Sequence, residues 1–207
     1  MSFYLPGKGD RGFTIAFYPC PRDEFGAFAN GYRYAADRLA HSLLARRGYR
    51  DYEAYPIVFL YRHGFELSLK NIIYKGAKLI AFKDLPSIDS SLHNLHKLPQ
   101  LAEKASAILR VLFPDDVELH AVMDTALTTA SQFDEIDPLS QSFRYPIDKN
   151  GNYTTKAPLS LGIIAVSKHM SELLEQLDTI NFGLNMEIDQ AEDVFEILES
   201  IDYLSET

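Results

Sequence analysis

The sequence predicts an all-α protein: a bundle of four to five helices, with an irregular N-terminal arm and an acidic C-terminal helix. Three observations carry this expectation. The stretch from Tyr55 to Lys78, YPIVFLYRHGFELSLKNIIYKGAK, is the longest continuous helical pattern in the chain, and it is apolar over most of its circumference. Elsewhere, apolar residues recur at three- and four-residue spacing. Between these stretches lie clusters of Pro, Gly, Asp and Ser, the residues that end helices and make turns. The boundaries read as an arm over 1–26, a bundle over 27–180, and an acidic helix and tail over 181–207.

Composition narrows the setting. A chain of 207 residues with 46% hydrophobic and 24% charged residues can bury a core as one domain. One cysteine, Cys20, excludes an internal disulfide framework and points to a reducing cytoplasm. No segment reaches the roughly 18 uninterrupted apolar residues of a membrane span, so no membrane partner is expected. The N-terminus, MSFYLPGKGDRG, lacks the apolar centre of a signal peptide. The net charge of −9 is uneven. Residues 187–207 carry eight acids and no Lys or Arg, whereas residues 1–79 carry 12 Lys and Arg against 7 Asp and Glu. A basic front and an acidic tail allow a basic surface patch despite the overall sign.

In chain order, the arm is punctuated by Gly7, Gly9, Gly12, Pro19, Pro21 and Gly26, with one apolar run from Phe13 to Tyr18. A first helix is expected from about Phe28 to Arg47, with Phe28, Tyr32, Ala35, Leu39 and Leu43 on one face. Arg46 and Arg47 complement the negative end of its dipole, and Gly48 stops it. The central helix starts with Pro56 in its first turn. A loop over 80–92 follows, and a third helix is expected from about His93 to Phe113. Asp115 and Asp116 sit where the start of a fourth helix, about Val117 to Phe133, favours negative charge. Residues 134–158 read as a long connection, of the kind that often carries function. Asn150-Gly151 predicts a tight turn within it, with a small hairpin or ordered loop around Arg144-Tyr145-Pro146. A fifth helix is expected from about Leu159 to Ile180, and a separate amphipathic one from about Ile188 to Leu204.

The chemistry-bearing residues concentrate in the central helix. Arg62, Glu66 and Lys70 are four apart and share a face, with His63 three residues from Glu66. They form either an ion-pair ladder that sets helix register or the wall of a polar pocket. His93 and His96, three apart, are suited to helix-start hydrogen bonding or to a shared metal, but no further ligand stands at a diagnostic spacing, so no metal is expected. Arg144, between two aromatics and before a proline, is either a loop anchor or an anion contact. The chain has no phosphate-binding P-loop, GxGxxG, CxxC, HExxH or GxSxG motif, and no cofactor is expected.

Three blocks together resemble the HEPN superfamily, helical domains of prokaryotic toxins, nucleotidyltransferase partners and phage-defence proteins. FLYRHGFELSLKNII at 59–73 is similar to the family's long second helix. HNLHKL at 93–98 resembles the H-[DN]-L-x-x-L that opens the next helix, and FRYP at 143–146 is like the segment before the final bundle helix. The resemblance spans residues from about 28 to 177. It implies a helical bundle that dimerises through the helices building its site, with RNA or a nucleotide as ligand.

Many members are metal-independent ribonucleases with the signature R-x4-6-H. Here the positions counted forward from Arg144 hold Lys149, Asn150 and Gly151. The expectation is therefore a non-catalytic interaction or ligand-binding protein, a homodimer and an accessory in a defence or toxin–antitoxin system. Its candidate contacts are Arg62, His63, Glu66, Lys70, His93, His96 and Arg144. The alternative is a divergent ribonuclease using Arg144 and one of the histidines. Residues 187–207 are a further candidate surface for a partner protein.

Overall fold

The computed structural model describes residues 21–48, 50–86, 88–92, 95–138, 140–155 and 160–205, with side chains described from residue 25 to residue 194 of these. Among them are five α-helices and no strand: α1 (Pro21–Leu44), α2 (Ala54–Phe82), α3 (Leu98–Leu112), α4 (Val117–Ile136) and α5 (Ile163–Ser205). The run from Phe13 to Tyr18, Cys20 and His93 lie outside the described residues.

α2 is the axis of the bundle. It packs against α1, α3 and α5, while α3 and α4 form an antiparallel pair on one side. Tyr61, Phe65, Leu69, Ile72, Ile73 and Leu79 of α2 are fully buried, so the near-continuous apolar pattern corresponds to a helix covered on most sides. Two glycines let neighbours approach α2. A Cβ on Gly64 would sit 3.3 Å from the Ala29 carbonyl oxygen of α1, and one on Gly76 would overlap Ile108 Cγ2 of α3. A polar pin joins three helices: the Tyr61 hydroxyl donates to Asp37 Oδ1 at 2.6 Å, and Ser171 Oγ of α5 donates to Asp37 Oδ2 at 3.3 Å. Burial, reinforced by the Asp37 hydrogen bond and charge, pushes the Tyr61 hydroxyl above the usual tyrosine range.

Several element bounds differ from expectation. α1 begins at Pro21, seven residues before Phe28, with the proline in the first turn, where its missing N–H costs nothing. It ends at Leu44, so Arg46 and Arg47 follow the helix. Arg46 still serves its end, with Nε donating to the Ser42 carbonyl at 3.3 Å and Nη2 to Glu53 Oε1 at 2.9 Å. A short 3₁₀ turn, Asp51–Glu53, precedes α2.

α3 begins at Leu98, not near His93. Pro99 belongs in a first turn, because its ring would clash with a carbonyl four residues earlier in a continuing helix. α4 starts where expected, with Asp116 Oδ1 capping it by accepting from the Leu119 amide at 2.9 Å. The connection after α4 is ordered around the Asn150-Gly151 turn: Ile147 and Tyr153 form an antiparallel bridge, and Gly151 takes φ 81°. The two expected C-terminal helices are one continuous helix of 43 residues.

Candidate functional site

The ladder read from spacing is present, and it is buried. Arg62, Glu66 and Lys70 expose 2%, 4% and 9% of their surface, although all are charged types. Glu66 is the hub: Oε2 lies 3.2 Å from Arg62 Nη1 and Oε1 lies 2.7 Å from Lys70 Nζ. Oε1 also lies 3.0 Å from His96 Nδ1. An ionised carboxylate only accepts, which assigns a proton to Nδ1. Burial pushes the Glu66 carboxyl up, but the hydrogen bonds from Lys70 and His96 and the charges of Lys70 and Arg62 outweigh it and hold it below the ordinary glutamate range.

Two segments distant in sequence close the ladder. His96 sits in the loop before α3, with its imidazole 70% exposed and its carbonyl accepting from Arg62 Nη2 at 3.5 Å. Asp137, immediately after α4, places Oδ2 3.7 Å from Arg62 Nε. Its Oδ1 accepts from the Gln141 and Ser142 amides at 2.7 and 2.9 Å. One carboxylate thus holds the central arginine and also folds the turn that leads to Arg144. Sequence reasoning missed Asp137. Its signal is the Asp-Pro step at Asp137-Pro138, a turn former beside a helix end.

His63 and Arg144 form a second group on the neighbouring face. His63 is partly buried, stacked on Phe59 at 5.7 Å between centroids and edge-on to Tyr32 at 4.5 Å. The Arg144 guanidinium lies 5.7 Å over the same Phe59 ring and 5.6 Å over Tyr145, while Nε donates to the Ser140 carbonyl at 2.6 Å. Arg144 thus bonds within its own loop and keeps an exposed cation over aromatic faces. Burial lowers the His63 pKa below the usual histidine value. The Glu66 charge opposes this, and the Lys70, Arg62 and Arg144 charges add to it.

A third feature had no counterpart in the sequence reading. α1, α2 and α5 enclose a polar cavity of about 290 Å³ lined by Asn30, Asn71, Lys75, Asp178, Asn181 and neighbours. Lys75 is 2% exposed and donates from Nζ to the Asn181 carbonyl at 3.2 Å. The available signal was Asn71 and Lys75 spaced four apart, directly after Lys70, in an apolar helix.

Among the described residues, no three His, Cys, Asp or Glu side chains are grouped to hold a metal ion. None of the helices is long and apolar enough to cross a membrane, judged over the described residues. No family model, curated protein or solved structure matches this chain.

Proposed function

We propose that this chain is a non-catalytic, HEPN-like binding protein that holds an anionic ligand, RNA or a nucleotide, on the face of Arg144 and His63, with His96 on the neighbouring face as a further contact. The observation that carries this reading is the Arg144–Phe59–His63 stack beside an internally neutralised ladder. Glu66 is engaged by Arg62, Lys70 and His96, so no carboxylate of the ladder is left as a general base. Arg144 hydrogen-bonds a carbonyl and covers two rings, an arrangement suited to stacking on a base or pairing with a phosphate. The protein works as a homodimer and as an accessory in a prokaryotic defence or toxin–antitoxin system, which rests on the sequence resemblance, and in the cytoplasm, which rests on its single cysteine. The test is fluorescence anisotropy with a short labelled single-stranded RNA. Arg144→Ala is expected to weaken binding by about 1–3 kcal/mol, and equal affinity of the variant and the parent overturns the reading.

One observation favours a second reading, a divergent metal-independent ribonuclease: Arg144 and His63 share the Phe59 ring. Chelator-insensitive RNA cleavage that both Arg144→Ala and His63→Ala abolish would establish it and displace the first.

A further inference from the structure

We infer that the trough between the α3–α4 corner and the middle of α5 is a docking groove for a basic amphipathic helix from a partner protein. This goes beyond the ligand-binding function proposed above, because it uses none of the residues assigned to that function. The trough encloses about 410 Å³, and its floor is made by Phe113, Leu119, Val122, Ile180 and Leu184. Phe113, Leu119, Val122 and Ile180 rest on the core and are only partly buried, so the floor is attached below and open above.

Gly183 lies in this floor, in the interior of α5. Glycine there costs about 1 kcal/mol of helix stability relative to alanine. Gly64 and Gly76 each have a neighbour that a side chain would strike, but a Cβ on Gly183 meets nothing within 4 Å. No described contact within the chain calls for glycine at this position, and its effect is to widen the trough.

The rim selects the occupant. The described lining residues include three carboxylates, Asp116, Glu118 and Glu187, and one cation stands at this edge, Lys83, which pairs with Glu187 and lies 5.8 Å over the Phe113 ring, so three acids against one base leave the rim net negative. Asp116 is fixed as the cap of α4, and Glu187 by Lys83 Nζ at 2.8 Å. A trough with an apolar floor and acidic edges fits a helix that has apolar anchors three and four residues apart and Lys or Arg on its flanks. The sign of the rim disfavours nucleic acid and anionic lipid.

The experiment titrates the 207-residue chain into a fluorescein-labelled synthetic helix of about five turns, with leucines on one stripe and lysines on the other faces. The control peptide has the same composition with the leucines scrambled. The patterned peptide is expected to bind and the scrambled one to bind at least about tenfold more weakly. Gly183→Trp, which fills the trough, is expected to lower affinity by roughly tenfold or more, and Glu118→Lys by several-fold with a shallower salt dependence. Gly183→Ala is expected to raise the melting temperature, showing that the helix accepts a side chain there. Glu118→Lys sits on an exposed rim position and keeps the test informative if the tryptophan variant does not fold. The proposal is overturned if both peptides bind alike, if neither binds, or if neither variant changes affinity. It is also overturned if light scattering finds a dimer that Gly183→Trp dissociates, which would make a second copy the occupant. RNA binding without peptide binding is failure of this groove alone, and peptide binding in a protein whose RNA affinity Arg144→Ala leaves unchanged is failure of the ligand face alone.

Discussion

Glu66 neutralises two buried cations of its own helix and receives His96 from a loop. Removing its charge leaves Arg62 and Lys70 undercompensated in the interior, so Glu66→Gln is expected to lower unfolding free energy by about 3–5 kcal/mol, measured by urea titration. The same residue sets an acid limit. Its folded pKa lies below its unfolded value, so its contribution is full above the ordinary glutamate value and is lost as pH falls through the folded one. The melting temperature of the parent should therefore fall more steeply below about pH 4.3 than that of Glu66→Gln. At this scale the sequence was informative wherever partners lie on one helix, because four-residue spacing alone aligns Arg62, Glu66 and Lys70. It was uninformative where the partner comes from elsewhere: Asp137 reaches Arg62 through the tertiary fold, and no local pattern encodes that meeting. Phe59 was legible as a core residue, but its role as the shared platform of His63 and Arg144 was not.

Helices settle their ends by competition between propensity and packing. The central helix is readable because apolar residues surround it, whereas the sequence predicts two helices where α5 is one. The structure continues the stripe through Asn181, which is 4% exposed and donates from Nδ2 to the Ser68 carbonyl at 3.4 Å, and on to buried Leu184 and Ile188. A hydrogen-bonded carboxamide thus occupies a position that periodicity reserves for leucine, and tertiary contact overrides weak propensity. Two predictions belong to this scale. Gly76→Ala should destabilise by about 1–3 kcal/mol through overlap with Ile108 Cγ2, and Ile108→Ala, which removes that methyl, should leave the double variant less destabilised than the sum of the two single variants, measured as a thermodynamic cycle. Asp137→Ala should accelerate hydrogen exchange at the Gln141 and Ser142 amides more than at those of α2, because it removes both bonds that fold the turn but leaves Arg62 of α2 its Glu66 partner.

Across the whole molecule, α2 couples α1, α3 and α5 through one buried cluster. Unfolding should consequently be a single event. Phe65→Ala, at the centre of that cluster, is expected to cost about 3–5 kcal/mol and to shift far-ultraviolet and tyrosine near-ultraviolet transitions together. Separate shifts would mean that the α3–α4 pair melts on its own.

α5 spans about 65 Å at the usual helical rise, and it runs alongside α2 in the same direction, with Ser68 facing Asn181 and Lys78 facing Glu192. Beyond Glu192 it continues to Ser205, about 20 Å further along its axis. Eight carboxylates fall within residues 187–207 with no cation among them, whereas the 79 residues at the other end of the sequence carry a net positive charge. A helix whose carboxylates crowd toward one end has a large permanent electric dipole moment. In the field of an approaching positively charged body such a molecule turns before it touches, and the far end of α5 is the part that points ahead.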